Sequence, residues 1–377
     1  MLAWEIAFWL CVSLLAYAQL GYPLLLGALA RLRGSRPTAV PSAAADLPTV
    51  SLIVAAYDEG AVIARKVANA LALDYPRELL EVVVASDGSA DGTVLEARRA
   101  GADAVLELER GGKIRAQDAA VARSRAEVVA FSDANSAWEP EALRELVGAF
   151  ADAKVGYACG QVRFVNDGGT NQEGLYWRYE MALRRMESRL ASVTAGNGAI
   201  YATRRAAYIE VDPIMGHDLS FPFNMVKRGW RAVYVPQARA TEKMVPSIEG
   251  EFARKRRMMS HAWPIVLRGG LLSPRGYPPL YALMMASHRV LRYAAPFLHL
   301  AALAASIALA TSSVVYAVAL ALQLALLAGA ALAPLLALRA LLVARYYVLT
   351  TASVAAGLWD WLRHGTPAGW EAPEGTR

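Results

Sequence analysis

Three acidic clusters, each directly behind a short apolar run, are the residues of this chain best suited to chemistry. Asp58 and Glu59 form the first cluster, Asp87 lies in the second, and Asp133 lies in the third. In a parallel sheet, ligands bind beyond the carboxyl ends of the strands, so three such clusters would converge on one crevice. Carboxylates that close repel one another unless a cation or a hydrogen-bond donor lies between them. A nucleoside diphosphate with Mg2+ or Mn2+ meets that need, because its ribose and base offer donors and hard cations prefer carboxylate oxygens.

The plainer interpretation of any single cluster is a turn or a helix N-cap, so the elements around the clusters matter. Runs rich in Val, Ile and Leu predict strands at 50–55, 81–85, 128–131 and 155–159, and an amphipathic helix follows the first of them. Near-continuous apolar strands separated by helices are typical of a mostly parallel sheet with helices on both faces. The sequence therefore predicts an α/β fold whose carboxyl edge bears all three clusters.

The two ends of the chain are far more apolar than its middle. Hydrophobic residues make up 56% of the 377 residues and charged residues only 19%, against about 25% in soluble domains. Residues 6–30 and 294–338 contain no Asp, Glu, Lys or Arg. The first stretch is long enough for one membrane span and the second for two, with a turn near 311–313 and a third span possible over 340–359.

The arginines that follow the first stretch orient the chain. Arg31, Arg33 and Arg36 come directly after it, and no basic residue precedes it. The positive-inside rule then places the N-terminus outside and the middle in the cytoplasm, and the stretch is an anchor rather than a signal peptide. We expect a multi-pass protein of a plasma (inner) membrane, in contact with membrane lipids. Cytoplasmic arginines explain the net charge of +6, and no nucleic-acid-binding module is predicted.

The domain organisation follows from these patterns. We expect a transmembrane anchor over 1–31, a linker over 32–47, a catalytic α/β domain over 48–265, an interfacial region over 266–293, two or three transmembrane helices over 294–361, and a polar tail over 362–377. The two cysteines, Cys11 and Cys159, are too few for a disulfide framework or a structural zinc site.

Seven short motifs, in order along residues 49 to about 263, carry a resemblance to a known family. They are Tyr57-Asp58-Glu59, Ser86-Asp87-Gly88-Ser89, Gly112-Lys113, Phe131-Ser132-Asp133-Ala134-Asn135, Trp177-Arg178-Tyr179-Glu180, Gly196-Asn197-Gly198-Ala199 and His217-Asp218-Leu219. In their order and spacing they resemble the membrane-bound glycosyltransferases of family 2, which carry a nucleotide-diphospho-sugar transferase (GT-A) domain.

The resemblance implies roles for the residues of the donor side. The expected contacts to the nucleoside and diphosphate are Tyr57, Asp58, Glu59, Asp87, Lys113 and Asp133. Asp133 and Asn135 stand where the family has its Asp-x-Asp metal motif, and Asn135 takes the place of the second Asp. They would hold Mg2+ or Mn2+ together with the diphosphate.

On the acceptor side, Asp218 resembles the catalytic base of inverting transfer. The loop of Gly196, Asn197 and Gly198 resembles the floor of the acceptor pocket, and His217 stands where many relatives have a second acidic residue. The resemblance thus adds His217 to the acceptor site. The plainer interpretation of Asp218 is a helix N-cap, because a helix is predicted to begin there.

A basic run distinguishes this chain from processive members of the family. Those members carry Gln-x-x-Arg-Trp after the base, whereas here Arg254 replaces Gln and Met258 replaces Trp. A Trp offers an acceptor sugar a flat apolar face, so its replacement favours single addition over synthesis of a long polymer. We expect Arg254 and Arg257 to bind the diphosphate; the alternative is that the run only lies beside anionic lipid headgroups.

The predicted function is therefore that of an inverting, metal-dependent glycosyltransferase. It would move a sugar from a nucleotide-diphospho sugar, UDP-linked by preference, to a lipid-linked or growing glycan acceptor at the cytoplasmic face. The alternatives are a processive polysaccharide synthase and a non-catalytic transferase-like subunit of a polysaccharide complex with partner proteins. A sugar nucleotidyltransferase would need a basic, Gly-rich loop after the first strand, and residues 57–59 are acidic instead.

Overall fold

The computed structural model describes residues 1–33, 47–165, 173–243, 247–336 and 338–369. They divide into two compact units. The helical unit comprises Met1–Leu29, Ser247–Trp263 and Ala282–Gly365, and the sheet unit comprises Ala30–Pro246, Pro264–Tyr281 and Thr366–Arg377. This division differs from the predicted domain borders, because residues 247–263 group with the apolar helices rather than with the sheet.

The sheet unit is built on eight strands in the order β3-β2-β1-β4-β7-β6-β8-β5. The strands are β1 Val50–Ala56, β2 Leu80–Asp87, β3 Ala104–Leu108, β4 Val128–Asp133, β5 Ala137–Trp138, β6 Val155–Val165, β7 Ile200–Arg204 and β8 Arg231–Lys243. The helices are α3 Ile63–Leu71, α4 Thr93–Arg99, α5 Lys113–Arg123, α6 Ala142–Gly148, α7 Glu173–Leu190 and α8 His217–Lys227.

Parallel pairing in the first half of the sheet brings the acidic clusters together. β1 pairs in parallel with β2 and β4, and β2 pairs in parallel with β3. In this register Ala56 lies opposite Ser86, and Ala55 lies opposite Asp133. The carboxyl ends of β1, β2 and β4 therefore meet at one edge, which places the three clusters side by side.

The second half of the sheet is mixed. β7 runs antiparallel to β4 and β6, β5 runs antiparallel to β8, and β6 and β8 are parallel. The apolar pattern does not reveal β3, β5, β7 or β8. β3 is a half-exposed edge strand, β5 has two residues, and the second half of β8 carries Arg239, Glu242 and Lys243.

Both faces of the sheet are buried, which explains the unbroken apolar runs of its central strands. All seven residues of β1 are buried. Successive residues point to opposite faces: Leu52 belongs to one apolar cluster with Leu143 of α6, and Ile53 belongs to another with Phe221 of α8. Packing on both faces thus fixes the ends of the strands, and these ends position the loops that follow them.

The helical unit contains the long apolar helices. Its elements are α1 Leu2–Ala16, a π-helical turn Tyr17–Gly21, α2 Tyr22–Arg33, α9 Ile248–Leu267, α10 Pro279–Met284, a second π-helical turn Met285–Val290, α11 Leu291–Leu309, α12 Val314–Leu336 and α13 Arg339–His364. Among the residues that the structure describes, four continuous stretches are long and apolar enough to cross a membrane: Leu2–Leu32, Pro279–Leu309, Val314–Leu336 and Arg339–His364. Residues 279–293 are continuous with α11 in the second of these stretches, and their placement at a membrane interface or at the end of a span stays a prediction.

Contacts between α9 and α13 show why 247–263 belong to the helical unit. Arg256 makes two hydrogen bonds of 2.6 Å to the Asp360 carboxylate, and Trp263 donates its indole N–H to the Val354 carbonyl at 2.9 Å. Gly357 lets the two helices approach closely. A Cβ there would lie 2.5 Å from Met259 Cβ and 2.8 Å from the Arg256 carbonyl oxygen.

We therefore expect Gly357→Ala to destabilise the helical unit by about 1–3 kcal/mol, because the added methyl group meets backbone rather than a flexible side chain. Thermal unfolding of the purified protein in detergent would measure the loss. Gly329→Ala is the matched control, since its Cβ would meet only side-chain atoms, the end of Leu341 at 3.3 Å and the Cβ of Ala344 at 3.9 Å, and Ala favours a helix over Gly by about 1 kcal/mol. Equal melting temperatures for the two variants would contradict this packing.

Candidate active site

Asp87 organises the loop that joins β3 to α5. Its carboxylate is 1% exposed and accepts hydrogen bonds from the backbone N–H of Gly111 at 2.7 Å and of Gly112 at 3.0 Å. The Arg110 guanidinium lies 3.3 Å from the same carboxylate. Gly112 has φ +96°, and a Cβ there would lie 2.2 Å from the Ala368 carbonyl oxygen, so only glycine fits. A buried carboxylate thus fixes the loop from which Lys113 begins α5.

The first acidic cluster is tied to the second by hydrogen bonds. The Asp58 N–H donates to Ser89 Oγ at 3.0 Å, and the Asp58 carboxylate accepts from the Ala90 N–H at 2.8 Å. Asp58 has φ +49°, the one positive φ of a non-glycine residue in the described part of the chain. Such strained backbone persists only where its surroundings enforce it, and it occurs most often at functional sites.

An aromatic face lies beside these carboxylates. The Arg110 guanidinium stacks on the Tyr57 ring with 3.1 Å to the ring centroid. Glu59 is 2% exposed, and its N–H donates to Thr93 Oγ1 at 2.8 Å. Tyr57, Asp58, Glu59 and Asp87 therefore share one end of the sheet. Arg110, which joins Tyr57 to Asp87, is a residue that the sequence motifs did not single out.

Lys113 connects the donor side of the site to Asp133. Its ammonium group forms an ion pair with the Asp133 carboxylate. Burial by itself would lower the pKa of Lys113, but the neighbouring carboxylates of Asp133, Asp218 and Glu242 raise it above its usual value, so the lysine stays charged. Glu242, at the end of β8, is a further acid that the sequence motifs missed.

The glycine-rich loop lies between Lys113 and Asp218. A Cβ at Gly198 would lie 4.0 Å from both Lys113 Nζ and Asp218 Cβ. The Gly196 N–H donates to the Asp218 carbonyl at 2.6 Å. A Cβ at Gly196 would lie 1.8 Å from the Tyr157 hydroxyl, which excludes any side chain there. Asn197 uses its side-chain oxygen to accept the Ala199 N–H at 3.0 Å, so its side chain braces the loop.

Asp218 occupies the first turn of α8 and is not its N-cap. The helix begins after Gly216, and no side chain caps it. The Asp218 side chain is partly exposed, and its charge acts on Lys113. The plainer interpretation of this aspartate as a helix cap therefore has no support in the geometry.

His217 lies in an aromatic cluster beneath the site. Its side chain is 3% exposed and stacks on Phe221 with 3.9 Å between ring centroids, and its Nδ1 lies 2.7 Å from the Tyr201 hydroxyl. Burial, with the charge of Lys113, holds the pKa of His217 well below its usual value, so the imidazole is neutral. In the structure His217 is therefore a buried, neutral neighbour of Asp218 in the sequence, and its contact with an acceptor stays a prediction.

Arg254 and Arg257 lie on α9, in the helical unit. Arg254 makes two hydrogen bonds of 2.7 Å to the Glu251 carboxylate, one turn earlier on the same helix. Because these arginines and the carboxylates of the sheet belong to different units, their binding to a diphosphate stays a prediction.

A separate cavity of about 520 Å3 lies at the far ends of α5 and α8. It is lined by Asp118, Val121, Ala122, Arg205, Tyr208, Ile209, Glu210 and Arg228. Lys113 and His217 begin these two helices, so the cavity lies at the opposite end of the helices from the cluster of carboxylates. We assign the chemistry to the carboxylates.

A sheet whose carboxyl edge gathers these acids, with Lys113 and a glycine-rich loop between them, defines a nucleotide-sugar transferase of the GT-A type. Residues 48–260, more than half of the chain, match the family described as "Glycosyltransferase like family 2". The chain belongs to this glycosyltransferase family, as its motifs predict.

Two curated relatives illustrate the similarity. An N-acetylglucosaminyltransferase of Rhizobium sp. (strain N33) is 27% identical over 249 residues, which cover 59% of this chain and 55% of that protein. A poly-beta-1,6-N-acetyl-D-glucosamine synthase of Staphylococcus aureus (strain COL) is 22% identical over 253 residues, which cover 63% of this chain and 61% of that protein. The chain thus spans little more than half the length of these relatives.

Among solved structures, the chain is similar to the mannosyltransferase PcManGT from Pyrobaculum calidifontis, determined in complex with GDP-Man and Mn2+. The identity is 25%, the TM-score is 0.71, and the match covers 95% of this chain and 99% of that one. The likeness therefore includes the apolar helices as well as the sheet.

We expect Asp87→Ala to destabilise the sheet unit and to weaken donor binding, because it leaves the buried N–H of Gly112 and the part-buried N–H of Gly111 without an acceptor, the first at about 1–3 kcal/mol and the second at less. Thermal unfolding and nucleotide titration would measure the two effects. Asp87→Asn, which keeps one acceptor oxygen, should lose less than Asp87→Ala in both measurements. Equal losses for the two variants would contradict the role of the carboxylate as acceptor for Gly111 and Gly112.

Proposed function

We propose that this protein is an inverting, metal-dependent glycosyltransferase. It moves a sugar from a nucleotide-diphospho sugar to a hydroxyl of a lipid-linked or growing glycan at the cytoplasmic face of the membrane. The observation that carries the proposal is the meeting of Asp133, Lys113 and Asp218 around Gly198. The Asp133 carboxylate is paired with Lys113. Asp218 lies on the other side of Gly198, which has no side chain to fill the space for a substrate. Both aspartates are partly accessible.

The proposed reaction is a single displacement. The acceptor hydroxyl gives its proton to the Asp218 carboxylate, and its oxygen forms a bond to the anomeric carbon. The bond from that carbon to the diphosphate oxygen breaks, and nucleoside diphosphate leaves with the electron pair. General-base catalysis of this kind contributes about 100- to 10,000-fold. Lys113 stabilises the negative charge that develops on the leaving diphosphate.

Asp133 and Asn135 are the residues we propose for the divalent metal. Their carboxylate and amide oxygens are the donor type that Mg2+ and Mn2+ prefer. Among the residues that the structure describes, no three His, Cys, Asp or Glu side chains form a group able to hold a metal by themselves. This donor set fits a cation that takes its remaining ligands from the diphosphate and from water. When bound, the metal would neutralise charge on the diphosphate.

The donor is proposed to lie along Tyr57, Asp58, Glu59 and Asp87. The names of the relatives from Rhizobium and Staphylococcus support an N-acetylglucosaminyl donor as the first to test, and we propose UDP as its nucleotide. The solved relative holds GDP-Man, so GDP-sugars belong in the same panel. Arg254 and Arg257 remain proposed contacts of the diphosphate.

The proposed setting is a plasma (inner) membrane with the sheet unit in the cytoplasm and the N-terminus outside. The four apolar stretches support a membrane protein, and the arginines after the first stretch support this orientation. A processive synthase is the second candidate, favoured by the similarity to the poly-N-acetylglucosamine synthase. The exposed Met258 at the position of the family's Trp favours single addition. Asp218 weighs against a non-catalytic subunit of a polysaccharide complex.

Asp218→Asn should lower transfer by at least about 100-fold, because the amide cannot accept the acceptor proton. Donor binding should stay close to that of the wild type. Nucleotide release from UDP-, GDP- and dTDP-sugars, with native membrane lipids and Mg2+ or Mn2+, would measure turnover, and titration would measure binding. Glu210→Gln, which alters an exposed acid beyond β7, is the control. Wild-type turnover by Asp218→Asn would remove this aspartate from the mechanism.

Asp133→Ala should abolish the dependence of donor binding on Mn2+, because it removes the carboxylate of the proposed metal site. Titration of UDP and GDP with and without Mn2+ would measure the coupling between metal and nucleotide. The metal site would have to lie elsewhere if the variant kept the coupling of the wild type.

A further inference from the structure

A lysine is buried on the face of α3 that packs against the sheet. Lys66 is 3% exposed, and its buried neighbours on this helix are Ile63, Val67 and Ala70. Burial lowers the pKa of Lys66 to about 7, while the charges of Asp133 and Glu242 raise it in part. Taking an ammonium group out of water is costly, and an apolar residue would pack there without that cost. The sequence motifs give Lys66 no role.

Lys66 holds the turn that carries the proposed metal ligands. Its ammonium group donates to the Ser136 carbonyl at 2.8 Å. The Ser136 N–H in turn donates to the Asp133 carbonyl at 3.2 Å and closes the turn. Asn135 lies between these two residues. A single buried cation therefore fixes the backbone of the segment from which both Asp133 and Asn135 project.

Asn69 lies one helical turn after Lys66 on α3 and forms hydrogen bonds to the next strand, β5. Its side chain donates to the Trp138 carbonyl at 2.9 Å and accepts the Trp138 N–H at 2.9 Å. Asn69 thus satisfies both backbone groups of one residue of β5. Lys66 Nζ also lies 5.3 Å from the centroid of the Trp138 ring. Residues 66 and 69 therefore act on consecutive parts of one segment, 133–138.

Trp138 connects the 133–138 segment to the glycine-rich loop. The ring is 3% exposed, and its indole N–H donates to the Ala199 carbonyl at 3.1 Å. The Ala199 N–H is bound by the side chain of Asn197. A continuous series of hydrogen bonds thus runs from α3 through the 133–138 segment to the loop beside Asp218.

We infer that Lys66 and Asn69 are positioning residues, which hold the 133–138 segment and couple its proposed metal ligands to the glycine-rich loop through Trp138. The inference rests on the proposed function, because it assigns the metal–nucleotide complex to that segment. Neither residue touches substrate in this arrangement; both act through the backbone. Loss of residues that orient metal ligands commonly costs 10- to 100-fold in metal affinity.

The test is Mn2+ binding, followed by electron paramagnetic resonance of free Mn2+ in the presence of UDP or GDP, on the full-length protein in detergent. Lys66→Met keeps the length and the packing of the side chain and removes its charge and its donor. We expect it to weaken Mn2+ binding by about 10-fold or more, with a melting temperature in the absence of metal close to that of the wild type. Arg65→Met, on the adjacent exposed position of α3, is the matched control and should bind as the wild type does.

Asn69→Ala provides a second variant that does not bury or remove a charge. It should weaken Mn2+ binding in the same direction and speed hydrogen exchange in both the 133–138 and the 196–199 segments. Wild-type Mn2+ affinity in a folded Lys66→Met or Asn69→Ala protein would overturn the inference while leaving the proposed function intact. Absence of nucleotide-dependent Mn2+ binding by the wild type would overturn both.

Discussion

Charge confined to one edge of a buried sheet is the constraint on which the rest of the sheet unit depends. Asp133, Asp218 and Glu242 lie close enough to Lys113 to raise its pKa, and Asp87 lies further along the same edge, at the end of β2. Carboxylates on one edge repel one another unless a cation or a hydrogen-bond donor lies between them. Lys113, paired with Asp133, relieves this repulsion, and the Asp87 carboxylate is satisfied separately by the backbone of the loop that begins α5. The arrangement is therefore held together by a cation and by N–H groups of the chain itself.

Two close approaches turn this edge into a surface that can accept substrates. At Gly112 the backbone of residue 368 lies where a side chain would be, and at Gly196 the hydroxyl of Tyr157 does. Glycine at these positions lets loops pack directly on buried groups. Beneath them His217, neutral because it is buried, fills the space among aromatic rings without adding charge to the site. The site thus has charged groups at the strand ends and neutral, aromatic packing around His217.

The helical unit follows a different principle, since its long helices are apolar on most sides and pack through small residues and a few polar pairs. Gly357 permits α9 and α13 to approach, and the Arg256–Asp360 pair fixes their register. This explains why the basic run of α9, which reads from the sequence as part of the catalytic domain, groups with the apolar helices instead.

The sequence by itself determined the family, the α/β class and the apolar ends. Strands buried on both faces and apolar stretches of about 20 or more residues appear in a sequence as uninterrupted apolar runs. It also located the acidic clusters, since each follows its strand directly. What it did not reveal depends on contacts between distant segments. Arg110, Glu242 and Lys66 carry no local pattern, and their partners lie 23 to 176 residues away along the chain in Asp87, Lys66 and Ser136. Likewise, only the tertiary structure decided that His217 is buried and that Asp218 is not a cap. Burial and hydrogen bonding depend on packed neighbours that are distant along the chain. A local stretch of sequence therefore does not specify them.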